Sequence, residues 1–313
     1  MAARRLRAAH IALAVIFVGF GAVDGTWAAR LPALKTRLGL DSGQLGLVIF
    51  CVSISATLLL PVAGWLSSRA GSRGPSGVGL LAGSAIAAGA AAAGAGPRLQ
   101  FPLVAAGVLA IAIVFVPRLL PGTAADVGSA HFAFPRGALA LPAFLTFCSM
   151  FVESAAMNWS AVFLSGPAGA SAAVAACGVV AFAVAMALAR LFGDRLTLRW
   201  GVAGLSRRGG ALTCAGIALA LATRSPAPGL LGFALVGAGC AAIVPALFRV
   251  AAAAPGVSAG AGIAAVATAG YTGGVVNGPA IGFLAQAIGL TGALSLIGVA
   301  AALIALLGPR LQR

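Results

Sequence analysis

Stretches of about 20 residues with almost no charge recur along this chain, and they leave few folds open to it. From 139 to 163 the only charged residue is Glu153, and from 258 to 286 there is none. Such a stretch crosses about 30 Å of hydrocarbon at 1.5 Å per residue. No water is present there to satisfy an open sheet edge, and the alternating pattern of a barrel strand is absent, so the spans are expected to be helices. Composition agrees: 61% of the 313 residues are hydrophobic and 8% charged, where a soluble domain carries roughly 25% charged residues. The first span reads as a retained helix, since its apolar core is too long for a signal peptide and no cleavage context follows it.

Ten spans are predicted, over approximately 9–29, 44–67, 77–96, 101–117, 139–163, 167–190, 209–223, 228–248, 258–286 and 290–308. The positive-inside rule tests that number. With a cytoplasmic N-terminus, Arg4, Arg5, Arg7, Arg69, Arg73, Arg118, Arg136, Arg190, Arg195, Arg199, Arg207, Arg208, Arg249, Arg310 and Arg313 fall inside. Arg30, Lys35, Arg37, Arg98 and Arg224 fall outside, a ratio of 15 to 5. Dropping one span would invert everything after it, so both termini are expected in the cytoplasm of a cell (inner) membrane. The net charge of +15 is then a property of cytoplasmic loops facing anionic lipid, and calls for no nucleic-acid partner.

The cysteines Cys51, Cys148, Cys177, Cys214 and Cys240 all fall within spans, which argues against a disulfide framework. The two histidines, His10 and His131, lie at a terminus and in a loop, so no intramembrane His site for metal or haem is expected. No Ser/His or paired-Asp arrangement lies inside the bilayer. The sequence therefore predicts no enzyme, no cofactor and no metal.

Two cytoplasmic loops repeat one pattern. After the second span come Gly64, Trp65, Arg69, Gly71 and Arg73; after the sixth come Gly193, Asp194, Arg195, Arg199, Trp200 and Gly201. Each is expected to form a tight loop in which glycine turns the backbone and arginine reaches carbonyls at helix ends. The repeat extends into the spans: Asp24 with Trp27 in the first, Glu153 with Trp159 in the fifth, each acid 14 or 15 residues along. Two related halves with matching intramembrane acids suit a secondary transporter.

On these residues the chain resembles the major facilitator superfamily, whose loop between helices two and three reads roughly G-x-x-x-D-R-x-G-R-R. Gly64, Arg69, Gly71 and Arg73 match it, with Ser68 in place of Asp, and the second copy keeps Asp194 and Arg195. The run Gly19 to Pro32, Leu45-Gly46-Leu47, and Glu153 through Trp159 to Leu164 resemble the fucose-permease-like branch of bacterial members. The resemblance implies twelve helices in two bundles of six, alternating access, and a cavity lined by helices one, four, seven and ten. Here the C-terminal part has six predicted spans and the N-terminal part four, so the family's helices four and five have no counterpart. The expected organisation is all-α: a polytopic membrane helix bundle with an N-terminal bundle at 1–117, a cytoplasmic linker at 118–138 and a six-helix bundle at 139–313.

Glu153 is the first candidate for carrying a coupling proton, because a carboxylate inside a span costs roughly 2.5–3.5 kcal/mol on insertion scales and must face water, a partner or a substrate. The alternative is a carboxyl held by Ser154 or Asn158. Asp24 is the second candidate, against a structural pairing with Arg30 at the outer surface. Trp27, Asn158, Trp159, Tyr271 and Asn277 are candidates for a substrate cavity, although interhelical hydrogen bonding would use the same polar groups. Gly270, Gly274, Gly278 and Gly282 form a stripe expected to pack closely on another helix, and Gly237, Gly239 and Pro245 predict a bent eighth span. The expected function is proton-coupled secondary transport of a small solute, its partners being that solute, protons and membrane lipid. The alternative is a shortened membrane protein that binds a partner without transporting, or has no activity.

Overall fold

The computed structural model describes the backbone of residues 24–70 and 135–312, and the side chains of 24–57 and 135–311. The expected spans at 77–96 and 101–117, nearly all of the linker at 118–138, and Gly71 and Arg73 lie outside the described residues. Every regular element among the described residues is helical. We number them α1 (24–37), α2 (Ser42–Ala70), α3 (Ala140–Ser165), α4 (Ala172–Leu191), α5 (Gly193–Thr223), α6 (Pro226–Cys240), α7 (Ile243–Ala252), α8 (Ala259–Ala293) and α9 (Ser295–Leu307). Among the described residues, four stretches are long and apolar enough to cross a membrane: Gly137–Ser165, Ala172–Leu191, Pro226–Ala252 and Ala259–Ala293. The protein is a multi-pass, all-helical membrane protein.

The chain forms two compact units, one of Met1–Arg30 with Ala56–Val127 and one of Leu31–Ser55 with Gly128–Arg313. In the first, the described residues are two helical stretches, 24–30 and 56–70. The second holds the other described residues, 31–55 and 135–312.

Helix starts follow local chemistry. Asp41 and Gln44 form a reciprocal capping box at the start of α2: Gln44 N–H donates to Asp41 Oδ1 at 2.8 Å, and Asp41 N–H to Gln44 Oε1 at 3.1 Å. Ser171 and Ser258 cap α4 and α8 by accepting from Val174 and Ala261. Pro226 sits in the first turn of α6, where a missing N–H costs nothing.

Three boundaries differ from the sequence reading. Helical structure runs on to residue 37 rather than stopping near 29. The expected tight loop after the sixth span is instead a two-turn helix, 193–200, and Gly201 (φ 65°) turns the corner. The seventh span therefore begins at 202, not 209, and takes Arg207 and Arg208 into its first turns. Gly289 (φ 76°) makes the same kind of corner between the ninth and tenth spans.

Close backbone approach holds the second unit together, as expected where lipid supplies no hydrophobic drive between helices. A Cβ on Gly239 would lie 2.6 Å from the Gly209 carbonyl oxygen, and one on Gly216 2.6 Å from that of Gly232, so α5 and α6 meet backbone to backbone. The glycine stripe of α8 serves two neighbours. Gly270 abuts Thr146 and Met150 of α3 and Gly274 abuts Ser154, whereas Gly278 and Gly282 face Gly46 and Ser42 of α2. Phe163 of α3 meets Phe233 of α6 edge to face, with ring centroids 6.1 Å apart.

Candidate functional site

The eighth span breaks where its sequence suggested a bend. Helix α6 ends at Cys240, Ala241 and Ala242 form a turn, and α7 restarts at Ile243. Pro245 explains the position: it has no N–H to give to the carbonyl four residues back, and its ring crowds that carbonyl, which belongs to Ala241. The orphaned oxygen finds another donor, for Arg190 Nε of α4 reaches it at 3.1 Å. The Nη2 of the same guanidinium donates to both carboxylate oxygens of Glu153, at 3.2 and 3.4 Å. One arginine thus ties α3, α4 and the α6–α7 break together. Glu153 is the fourteenth of 26 residues in α3, about 20 Å from its start, and Arg190 is the nineteenth of 20 in α4. The arginine stem runs from the helix end toward the middle of the span, as a snorkelling side chain does in reverse. The side chains are 47% and 27% exposed.

Arg190 is thus a partner of Glu153. Asn158 is half-buried one turn further along α3. Trp159 is fully buried, and its Nε1 meets no partner among the described residues. On α8, Tyr271 is exposed, while Asn277 is buried and donates from Nδ2 to the Gly274 carbonyl of its own helix. Asp24 is exposed and Trp27 half-buried in α1. No ion pair joins Asp24 to Arg30 among the described residues; six residues apart on a helix, they point to different sides.

Of the repeated loops, Gly64 and Arg69 lie in the last turns of α2, with side chains outside the described residues. In the second copy, Gly193 is buried against Ala242, and Asp194 pairs with Arg249 of α7 at 2.7 Å rather than with its neighbour Arg195. Arg249 also donates to Thr197 Oγ1 at 3.1 Å, which in turn donates to the Gly193 carbonyl. Arg195 and Arg199 are exposed. Trp200 lies beneath Arg208, 4.6 Å from guanidinium to ring centroid.

Arg190 and Arg249 were read in the sequence only as inside charges. The signal for Arg190 is a lone cation at the end of the apolar sixth span, next in sequence to a fifth span with a single acid.

No family model matches the chain. Over an alignment of 346 positions it is 29% identical to an uncharacterised MFS-type transporter of Yersinia pestis, with 88% of each chain covered. The similarity is to a major facilitator transporter. Membrane protein MosC of Rhizobium meliloti is also 29% identical, over 349 positions covering 91% of this chain and 86% of MosC. Among solved structures, the human organic anion transporter MFSD10 (TETRAN) matches 96% of this chain and 83% of its own, at 20% identity and a TM-score of 0.45.

Proposed function

We propose that the protein is a secondary transporter of a small solute, driven by protons and working by alternating access. The observation that carries this is the Glu153–Arg190 pair, which joins the middle of α3 to the last turn of α4. A proton-coupled cycle needs a group that is charged in one state and neutral in another, and arginine stays charged throughout. Glu153 has the cation that stabilises its charged form in reach, on the neighbouring helix α4. The similarity to MFS-type transporters over most of both chains supports the reading, as do the paired Gly/Arg sequence motifs after the second and sixth spans. The fucose-permease-like branch, a cytoplasmic side for both termini, an inner-membrane location and the 1–117, 118–138 and 139–313 division belong to the same proposal.

A specific observation fits a chain shorter than its relative within the aligned region, which the proposal assigns to the N-terminal half. Coverage of 88% of 313 residues is about 275, so about 70 of the 346 aligned positions have no residue in this chain. Two spans of about 20 residues with their loops would fill such a gap. That is also the ground for the second reading, a membrane protein that has lost transport.

The test is the full chain in proteoliposomes containing a pH-sensitive dye, with an acid-outside gradient and labelled solutes added singly. Transport predicts solute-dependent entry of protons. Glu153→Gln should abolish gradient-driven accumulation and keep solute exchange, and Asp24→Asn should have the smaller effect. Wild-type uphill rates in both variants would remove proton coupling through these acids.

A further inference from the structure

We propose that the corner between α4 and α5 binds an anionic phospholipid, with Arg195 and Arg199 on its phosphate and Leu191 and Leu198 against its acyl chain. The assignment rests on the membrane fold and not on transport. The two-turn helix 193–200 begins two residues after the membrane-crossing stretch Ala172–Leu191 ends, so it lies where hydrocarbon gives way to water. Its inner face is set by residues three and four apart. Gly193 is buried, and Leu196 and Trp200 pack on Leu205, Ala242 and Ala246. The outer face carries Arg195, Leu198 and Arg199, all exposed. As neighbours three and four apart on one helix, their Cβ atoms are about 5–6 Å from one another. Leu198 is 88% exposed and Leu191, at the end of α4, 75%. Leucines bare beside two arginines are what a helix lying in the membrane interface presents: apolar side chains for the acyl boundary and cations for the headgroups.

Charge selects the headgroup. Asp194, the acid of this helix, is held by Arg249 at 2.7 Å, and among the described residues no carboxylate pairs with Arg195, Arg199, Arg207 or Arg208. The whole chain has five acids. Even Asp126, which lies outside the described residues, would answer only one of these four arginines. The corner therefore keeps surplus positive charge, which favours phosphatidylglycerol over a zwitterionic lipid, whose own cation it repels. Each guanidinium offers the planar fork that grips two phosphate oxygens. Arg208 is fixed beside them, its guanidinium 4.6 Å from the centroid of the Trp200 ring, a cation stacked on a tryptophan at the membrane boundary. The exposed leucines exclude a free phosphate as the best occupant, because it would leave them bare. An anion with a hydrocarbon tail satisfies both halves of the surface.

The test is native mass spectrometry of the purified full chain, titrated in detergent with dioleoyl phosphatidylglycerol, dioleoyl phosphatidylcholine and glycerol 3-phosphate. The wild type is expected to retain phosphatidylglycerol in preference to phosphatidylcholine, less so as ammonium acetate is raised, and not to retain glycerol 3-phosphate. Arg195→Gln and Arg199→Gln should each lower phosphatidylglycerol affinity by about fivefold, the contribution of one arginine near a membrane surface. Arg195→Lys, which keeps the charge, should retain most of it. Leu198→Ser should lower it several-fold with no change of charge. Arg224→Gln, at the other end of α5, should bind as the wild type does. All these side chains are exposed, so melts in lipid-free detergent should match the wild type, which separates lost binding from lost folding. Equal retention of the two lipids, wild-type retention with Arg195→Gln and Arg199→Gln combined, or an equal loss in Arg224→Gln would each overturn the assignment. Wild-type retention in Leu198→Ser, or displacement of the lipid by glycerol 3-phosphate, would overturn it in favour of a soluble phosphate.

Discussion

Pro245 acts at the site through a bond that it cannot make. An alanine there would supply the N–H that the Ala241 carbonyl lacks, close the helix across the break and release Arg190 Nε. Pro245→Ala is therefore expected to leave the thermal midpoint unchanged or raised, since helix propensity improves, and to lower gradient-driven uptake several-fold. A midpoint falling by several degrees with uptake intact would mean the break is structural only. The Asp194–Arg249 pair is a different case. Its side chains are 85% and 51% exposed, and exposed pairs contribute at most about 1 kcal/mol. Asp194→Asn should shift the midpoint by no more than a few degrees, a difference that disappears in high salt; a large, salt-independent loss would show that the pair holds α5 to α7 more firmly than its exposure suggests.

Glycine contacts set the spacing of the helices, and they yield the clearest stability prediction. A Cβ on Gly278 would lie 2.5 Å from the Gly46 carbonyl oxygen, backbone that cannot rotate away. Gly278→Leu should destabilise the α2–α8 contact by about 1–3 kcal/mol, read as a lower midpoint in a detergent melt. Gly260→Leu, where no atom lies within 4 Å of an added Cβ, is the control and should melt as the wild type does. The spacing of these glycines was legible because Gly270, Gly274, Gly278 and Gly282 repeat every four residues, and small residues on one helical face mean close approach. What the period could not give was the division of the stripe between α3 and α2, which depends on tertiary placement. The corner at Gly201 shows a similar limit. The glycines at 193 and 201 both suggested turning, yet only Gly201 has a positive φ, and the residues between them close two helical turns. Glu153 stood out as an acid in an apolar span. Its partner did not, because the hydrophobic pattern of α4 says nothing about which neighbour lies opposite Arg190, and that is set by the break at Ala241–Ala242.

Parity governs the whole molecule. The 15-to-5 bias of basic residues holds only for an even number of spans between the N-terminus and residue 313, and the expected loss of two helices keeps it even. Losing one or three would place Arg195, Arg199, Arg207 and Arg208 on the outer side, against the strong tendency of such clusters to stay cytoplasmic. The expected arrangement therefore puts residue 313 and the 118–138 linker in the cytoplasm and residue 37 outside. Reporter fusions made in the full chain, with phosphatase active only outside and a fluorescent protein folding only inside, check this at 37, 130 and 313. Position 37 should score outside, and 130 and 313 inside. If 37 and 313 share a side, the even count fails; if 130 and 313 differ, the six spans assigned to 139–313 are not six. Either result would also move Arg190 and Glu153 relative to the membrane faces, and with them the direction from which a proton reaches the pair.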